Sequence, residues 1–298
     1  MKADRGVVWT ILELLRWTTD YFKAKGVSEP RAAAQVLLAH CLGLERIELY
    51  LQYNKPLTAE ELASFKTLIR RRLTGEPTQY ITGHQEFWSL DFLVTPAALI
   101  PRPETEILIE AVLEQVQQPD SPLAKGPVLD VGTGSGVLAV VLARTLPDPW
   151  VVALDLSATA LALAQENARR LGAADRISFV QGDLSQPLAP GPTFALIVSN
   201  PPYVPTGDWQ RLPRETRDFE PRAALDGGPD GLAVIRRLIS TAHQYLLPGG
   251  LLALEMGQGQ AEAVLDLIAQ QAAYGPAQLR RDYQQIQRVV LVRRSEKA

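Results

Sequence analysis

The chain predicts an α/β fold in which a doubly wound, mostly parallel sheet follows a small N-terminal helical bundle, and three observations predict it. Short apolar strands at Val128–Val131, Val151–Leu154, Ile177–Val180, Ala195–Val198 and Leu251–Leu254 alternate with helical periodicity near 137–145, 158–171, 230–246 and 260–273. Such alternation is the mark of parallel sheets wrapped by helices. Residues 7–75 carry helical periodicity throughout. Gln278–Arg281 and Val289–Val292 follow each other with no helix between them, so a terminal antiparallel hairpin is expected at the end of the sheet.

Length and composition set the bounds. A chain of 298 residues with 46% hydrophobic content can bury one large core and one small one. The boundaries read from the pattern are 1–76 for the helical domain, 77–95 for a linking hairpin and 96–298 for the α/β domain. No apolar run approaches the ~20 residues of a membrane span, and the first residues do not read as a secretory leader, so no membrane association and a cytoplasmic location are expected. Cys41 is the one cysteine, and His40, His84 and His243 are scattered, so no metal site is expected. The net charge of −3, with residues 1–95 nearly balanced in acid and base, argues against stable nucleic-acid binding.

Taken in order, Trp9, Leu12, Leu15 and Phe22 form the first apolar stripe. Ser28 is the expected N-cap of a second helix with Pro30 in its first turn, and Thr58-Ala59-Glu60-Glu61 opens a third with a capping box that runs to Gly75. Arg70-Arg71-Arg72 reads as a solvated helix end favoured by the macrodipole. Tyr80–Gly83 and Phe87–Phe92 are β-branched and aromatic, which suggests the linking hairpin. Pro103 suits the first turn of a helix whose buried stripe is Ile107, Leu108, Ala111, Val112 and Val116. A linker over Gln117–Gly126 leads into the sheet.

The polar residues fall at strand ends. Asp130-Val131-Gly132-Thr133-Gly134-Ser135-Gly136 lies between the first strand and its helix, where glycines let the backbone turn tightly against a ligand. The spacing differs from a nicotinamide fingerprint, lacks the Lys-Ser/Thr of a P-loop, and is no nucleophile elbow. Asp155 ends the second strand, where a carboxylate can accept from both hydroxyls of a ribose. Asp183, after the third, is placed to meet an adenine amino group, with Leu184 covering the ring.

Ile197–Ser199 ends the fourth strand in Asn200-Pro201-Pro202-Tyr203. Asn200 is driven extended by the following proline, and neither proline has an N–H, so the corner is stiff. The Asn200 amide oxygen and the Pro201 carbonyl are two acceptors that can converge on an –NH2 group, with the Tyr203 ring beside them. That suits methyl transfer to a planar amide or amino nitrogen, a poor nucleophile that such acceptors orient and activate. An aromatic face also attracts a sulfonium cation. Read alone, the corner fits an ordinary turn equally well; four polar strand ends on one sheet edge make the ligand site the stronger reading.

The set resembles class I S-adenosylmethionine-dependent methyltransferases. More narrowly, Thr82-Gly83-His84-Gln85-Glu86-Phe87-Trp88, Ile100-Pro101-Arg102-Pro103-Glu104-Thr105-Glu106, Asp130–Gly136, Asn200–Tyr203 and Phe219-Glu220-Pro221-Arg222-Ala223-Ala224-Leu225 resemble the bacterial release factor glutamine methyltransferase family, PrmC/HemK, over almost the whole chain. The resemblance implies transfer of the S-adenosylmethionine methyl group to the N5 side-chain amide of the glutamine in the Gly-Gly-Gln motif of class 1 peptide chain release factors, with S-adenosylhomocysteine as product and no metal. It implies a cofactor site of Gly132, Thr133, Gly134, Ser135, Gly136, Asp155, Asp183, Leu184 and Asn200. Asn200, Pro201 and Tyr203 would carry catalysis, and Asn200, Pro201, Pro202, Tyr203 and Arg102 would hold the glutamine. Nothing in residues 1–76 looks catalytic, so they read either as a scaffold extension or as a platform for a partner, with release-factor docking the expected role, and a monomer is expected.

Two departures stand out: Leu184 where the family commonly has tryptophan or another bulky residue, and no glycine in the turn Arg281–Arg288. The loop from Pro205 to Gly231 reads either as a lid over the substrate or as a long surface loop. Rival functions are an N6-adenine nucleic-acid methyltransferase, which the same corner could serve, a nicotinamide oxidoreductase, and a non-catalytic release-factor-binding protein.

Overall fold

The computed structural model describes residues 8–118, 121, 123 and 126–296. The backbone divides into two units, Met1–Gly83 with Pro213–Phe219, and His84–Leu212 with Glu220–Ala298.

In the first unit, capping decides where helices begin. α1 (Ile11–Ala24) opens on Thr10, whose hydroxyl accepts from Glu13 N at 3.3 Å while the Glu13 carboxylate accepts from Thr10 N at 2.9 Å. α2 (Pro30–Leu42) and α3 (Arg46–Leu51) follow, and α4 (Ala59–Leu73) repeats the capping box with Thr58 and Glu61, as the sequence predicts. Ile11, Phe22, Leu37, Leu38, Leu49 and Phe65 meet in one core. Full burial of each is worth about 2–3 kcal/mol over exposure.

Three expectations in this unit are corrected. Ser28 does not cap α2: Glu29 occupies the N-cap at φ 45°, Pro30 sets the first turn, and Ser28 Oγ donates to Glu215 at 2.8 Å. Arg70–Arg72 is not simply a solvated end, because Arg72 is 5% exposed, ion-paired with Glu215 and hydrogen-bonded to Ser28 Oγ at 3.0 Å. Glu215 lies on a short helix, α9 (Arg214–Phe219), which comes from far along the chain yet belongs to this unit. Tyr80–Thr82 is helical, within α5 (Thr78–Thr82), bounded by Pro77 and by Gly83 at φ 81°. The two flanking breakers outweigh the β-branched composition.

The second unit opens with the hairpin β1 (His84–Phe87) and β2 (Leu90–Leu93). Its two-residue turn, Trp88-Ser89, has both φ values positive at 54° and 56°, the combination that matches strand twist. α6 (Glu106–Val116), β3 (Val128–Val131), α7 (Val137–Thr145), β4 (Val151–Asp155), α8 (Ala158–Arg170), β5 (Ile177–Gln181) and β6 (Phe194–Ser199) come next. After α9, the unit resumes with α10 (Ala233–Ala242), β7 (Leu246–Glu255), α11 (Ala261–Ala269), β8 (Gln278–Arg281) and β9 (Gln287–Arg293). The linker expected over 117–126 lies partly outside the described residues.

Seven strands form one sheet in the order β5-β4-β3-β6-β7-β9-β8. The first five are parallel, and β9 runs antiparallel to β7 and β8. Helices cover both faces of the central strands β3 and β6, which are therefore apolar on both apart from the buried Asp130 and Ser199. Val128, Val151, Leu196 and Leu251 pack with α6 and α7, whereas Leu129, Ile197, Leu252 and Leu254 pack with α10 and α11. The glycine-free tail turn closes through Asp282, which accepts from Gln284 N and Ile286 N at 2.9 Å and from Arg288 Nε at 3.0 Å, while Gln285 takes φ 65°.

Candidate active site

The chain winds from β3 outward to β5 and then returns to β6 on the other side of β3, so the carboxyl ends of β3 and β6 flank a topological switch point. Backbone pairing between these strands runs from Val128↔Leu196 to Asp130↔Val198. Beyond it, Ser199 Oγ donates to the Val131 carbonyl at 2.6 Å and holds the two exits together.

On the β3 side the chain turns through Gly132, Gly134 and Gly136 at φ 74°, 58° and 86°. Gly136 is needed for packing as well: a Cβ there would sit 3.0 Å from Ala164 Cβ on α8. Asp130, fully buried beneath the loop, accepts from Thr133 Oγ1 at 2.6 Å and Ala139 N at 3.1 Å. Burial pushes its carboxyl up to about 7. Asp155 braces the loop from β4, with Oδ2 accepting from Gly134 N and Oδ1 from Ser157 N, both at 2.9 Å. After β5, Asp183 pairs with Arg237 at 2.7 Å and Leu184 adopts a φ of 51°, rare for a branched side chain.

On the β6 side, Asn200 Nδ2 donates to Thr105 Oγ1 at 3.0 Å. Among the described residues no donor reaches Asn200 Oδ1 or the Pro201 carbonyl. Thr105 Oγ1 in turn donates to Glu255 Oε2 at 2.7 Å, and the Tyr203 hydroxyl donates to Glu255 Oε1 at 3.2 Å. Glu255 is 1% exposed, and burial pushes its carboxyl up to about 7 against the opposing hydrogen bonds and the Arg288 charge. The Tyr203 phenol is pushed up by its own burial and by Glu255. Arg102 is ion-paired with Glu220, whose other oxygen accepts from Ile100 N at 3.1 Å.

One cavity of about 450 Å³ joins these features. Gly132, Thr133, Gly134, Ser135, Asp155, Asp183, Leu184, Asn200, Pro201, Pro202 and Arg102 all line it. Gly136 stands behind the wall at the start of α7, and Tyr203 is outside the lining, its hydroxyl turned to Glu255. Among the described residues no group of three or more His, Cys, Asp or Glu could hold a metal ion, and no helix is long and apolar enough to cross a membrane. The cavity is the right size for a small cofactor, and its walls combine apolar surface with a few fixed polar groups.

Sequence reasoning missed Glu255 and Arg237, and took Thr105 and Glu220 only as parts of familiar segments. For Glu255 a signal existed: it is an acidic residue closing the apolar run Leu251–Leu254, a fifth polar strand end beside the four that were read. Arg237 gave none, and the role of Glu220 was hidden, because their partners Asp183 and Arg102 are remote in sequence.

A family model for the PrmC N-terminal domain matches residues 13–83, and one for the methyltransferase small domain matches residues 103–212. Among solved structures, a methyltransferase from Pyrococcus furiosus superposes with a TM-score of 0.51 at 18% identity, covering 70% of this chain and 91% of its own. The T. thermophilus 16S rRNA N2 G1207 methyltransferase, solved with AdoMet and guanosine, gives 0.51 at 19% identity over 71% of this chain and 49% of its own. These show the fold. Release factor glutamine methyltransferase of Geobacter sulfurreducens is 47% identical over 267 residues, 90% of this chain and 91% of that protein. That of Moorella thermoacetica is 47% identical over 287 residues, 96% and 99% of the two chains. With identity at this level over nearly the full length of both partners, the chain belongs to the release factor glutamine methyltransferase family.

Proposed function

We propose that this protein transfers the methyl group of S-adenosylmethionine to the N5 side-chain amide of the glutamine in the Gly-Gly-Gln motif of class 1 peptide chain release factors. The observation that carries the reading is the pair of unclaimed acceptors, Asn200 Oδ1 and the Pro201 carbonyl, at the wall of the switch-point cavity. An amide –NH2 has two N–H bonds and two acceptors await it.

The residues present fit the cofactor. Glycines with positive φ at 132 and 134 keep side chains out of the loop, and each Asp155 oxygen retains a lone pair for a ribose hydroxyl beyond the amide it already accepts. Asp183 and Leu184 supply a polar edge and an apolar face for a planar base. When bound, S-adenosylmethionine supplies a methyl group on a positively charged sulfur.

The chain's own part is orientation. Asn200 and Pro201 fix the glutamine nitrogen through its hydrogens and favour the positive charge that grows there during attack, the proton leaving afterwards. Pro201 and Pro202 keep the acceptors rigid, since neither can swing into a helix or ladder. Tyr203 is anchored through its hydroxyl to Glu255 and stiffens the corner from behind. Arg102, held by the buried Glu220, offers a cation at the cavity wall for the substrate backbone.

Residues 1–76 form the release-factor docking domain, 77–95 the link and 96–298 the methyltransferase domain. The enzyme works as a monomer in the cytoplasm, on a protein, without stable nucleic-acid binding. A test is the transfer of labelled methyl groups to a release factor and to the same factor with the Gly-Gly-Gln glutamine replaced by alanine. Label in the first and none in the second is expected; equal labelling of both would refute the assignment.

A further inference from the structure

Asn200 can serve as described only if its carboxamide points one way. A flipped amide would offer –NH2 to the substrate nitrogen, donor against donor. The stiffness of the backbone corner does not settle this, because the side-chain torsion is free to turn by half a revolution. The hydrogen bonds behind the residue do settle it.

The two oxygens of Glu255 are each occupied by one hydroxyl, Thr105 at 2.7 Å and Tyr203 at 3.2 Å. A hydroxyl has a single hydrogen. While Glu255 is ionised it can only accept, so that hydrogen is committed to the carboxylate, Thr105 Oγ1 can only accept from its remaining neighbour, and Asn200 must turn its Nδ2 toward it, as observed at 3.0 Å. Thr105 is 2% exposed and Glu255 1%, so the hydrogen bonds of both are made chiefly to protein partners. Thr105 closes the 3-10 turn Pro103–Thr105 that runs into α6 and makes no side-chain cap bond, so its hydroxyl is available to Glu255 and Asn200.

We infer, building on the methyl-transfer reading above, that Thr105 and Glu255 are positioning residues that set the polarity of the Asn200 carboxamide, so that the site presents an oxygen and selects a methyl acceptor bearing N–H bonds. Glu255 is not part of the cavity lining, whereas Thr105 reaches the cavity wall. Both act through Asn200.

The test compares Thr105→Val, which removes the hydroxyl at nearly constant volume, with Thr105→Ser, which keeps it. At about pH 8.5, with Glu255 ionised, Thr105→Val should lower kcat on the release factor by about tenfold or more, with KM and S-adenosylmethionine affinity nearly unchanged, and Thr105→Ser should recover most of the loss. In the Asn200→Ala background the same Thr105→Val change should add almost nothing, because the residue it orients is gone. A Thr105→Val enzyme with normal kcat, a Thr105→Ser enzyme as slow as Thr105→Val, or losses that multiply in the double variant would each overturn the inference. Where Thr105→Val does not fold, Thr105→Ala removes the same hydroxyl without branching and is judged by the same criteria.

A second readout needs no substrate. In 15N-labelled protein the Asn200 side-chain amide hydrogens should resonate far apart, one bound and one free, and Thr105→Val should narrow the gap; an unchanged pair of signals would contradict the inference. If the unaltered protein fails to methylate the release factor, the proposed function falls, while this readout still decides the orientation of Asn200.

Discussion

Gly134 donates its backbone N–H to Asp155 Oδ2 at 2.9 Å, across the gap between the ends of β3 and β4. The carboxylate expected to meet a ribose is therefore also the brace of the glycine loop. Asp155→Ala should weaken S-adenosylmethionine binding about 10- to 100-fold, because the loop amide and the ribose hydroxyls lose one shared acceptor. Calorimetric titration with S-adenosylmethionine measures this; affinity within twofold of the unaltered protein would remove Asp155 from the site.

Asn200→Ala separates catalysis from cofactor binding. If its oxygen acts mainly as the amide attacks, turnover should fall by ~10²-fold or more while cofactor affinity changes little. The check is steady-state kinetics beside a binding titration, and a variant that turns over normally is incompatible with the mechanism.

Burial of Glu255 makes stability depend on pH in a stated direction. Its carboxyl rises from an ordinary 4.5 to about 7 in the folded protein, through desolvation first, with Glu104 adding to it and Thr105, Tyr203 and Arg288 opposing. Between those two values the folded chain keeps a proton that the unfolded chain has released, so stability is lost as pH rises through this window. Glu255→Gln carries no such penalty. Relative to the unaltered protein, the variant should gain on the order of 3 kcal/mol between about pH 4 and pH 8. Denaturant unfolding at the two pH values reads this, with Asp130 common to both proteins and cancelling. A gap independent of pH would show that Glu255 is not held neutral.

Gly136 combines a φ of 86° with a backbone approach that leaves 3.0 Å to Ala164 Cβ. Gly136→Ala should cost more than about 1 kcal/mol from the left-handed backbone alone, and further from displacing α8. Thermal unfolding measures it; a neutral outcome would contradict both the left-handed backbone cost and the close packing against Ala164.

In the first unit, Glu215 is the acceptor for both the buried Arg72 and Ser28. Glu215→Ala leaves Arg72 buried with its charge unpaired, which should destabilise this unit by about 3 kcal/mol. Hydrogen exchange should then rise in α4 and α9 while β3 and β6 stay protected. Unchanged exchange in α9 would show that the ion pair does not hold it.

The central sheet was legible because each buried strand is a compact, mostly apolar run followed by a glycine or polar stop, and those stops, Gly132, Asp155, Asp183 and Asn200, line the cavity. What escaped depended on partners far away in sequence. β7 begins at Leu246, earlier than its apolar run suggests, because Pro248-Gly249-Gly250 interrupts the pattern where the β6 register shifts between Phe194 and Leu196. Tyr80–Thr82 looked extended from composition, yet Pro77 and Gly83 impose a single helical turn. The solvated reading of Arg72 failed because Glu215 lies 143 residues away. For Tyr203 the sequence shows an aromatic residue at the corner but not what holds its hydroxyl, which is Glu255, 52 residues further along the chain.

The most direct measurement is mass spectrometry of a purified, unmethylated class 1 release factor after incubation with this protein and S-adenosylmethionine, followed by peptide mapping. The account predicts a gain of one methyl group, on the glutamine of the Gly-Gly-Gln motif. A methyl group on any other residue, or none although S-adenosylmethionine binds, would contradict it.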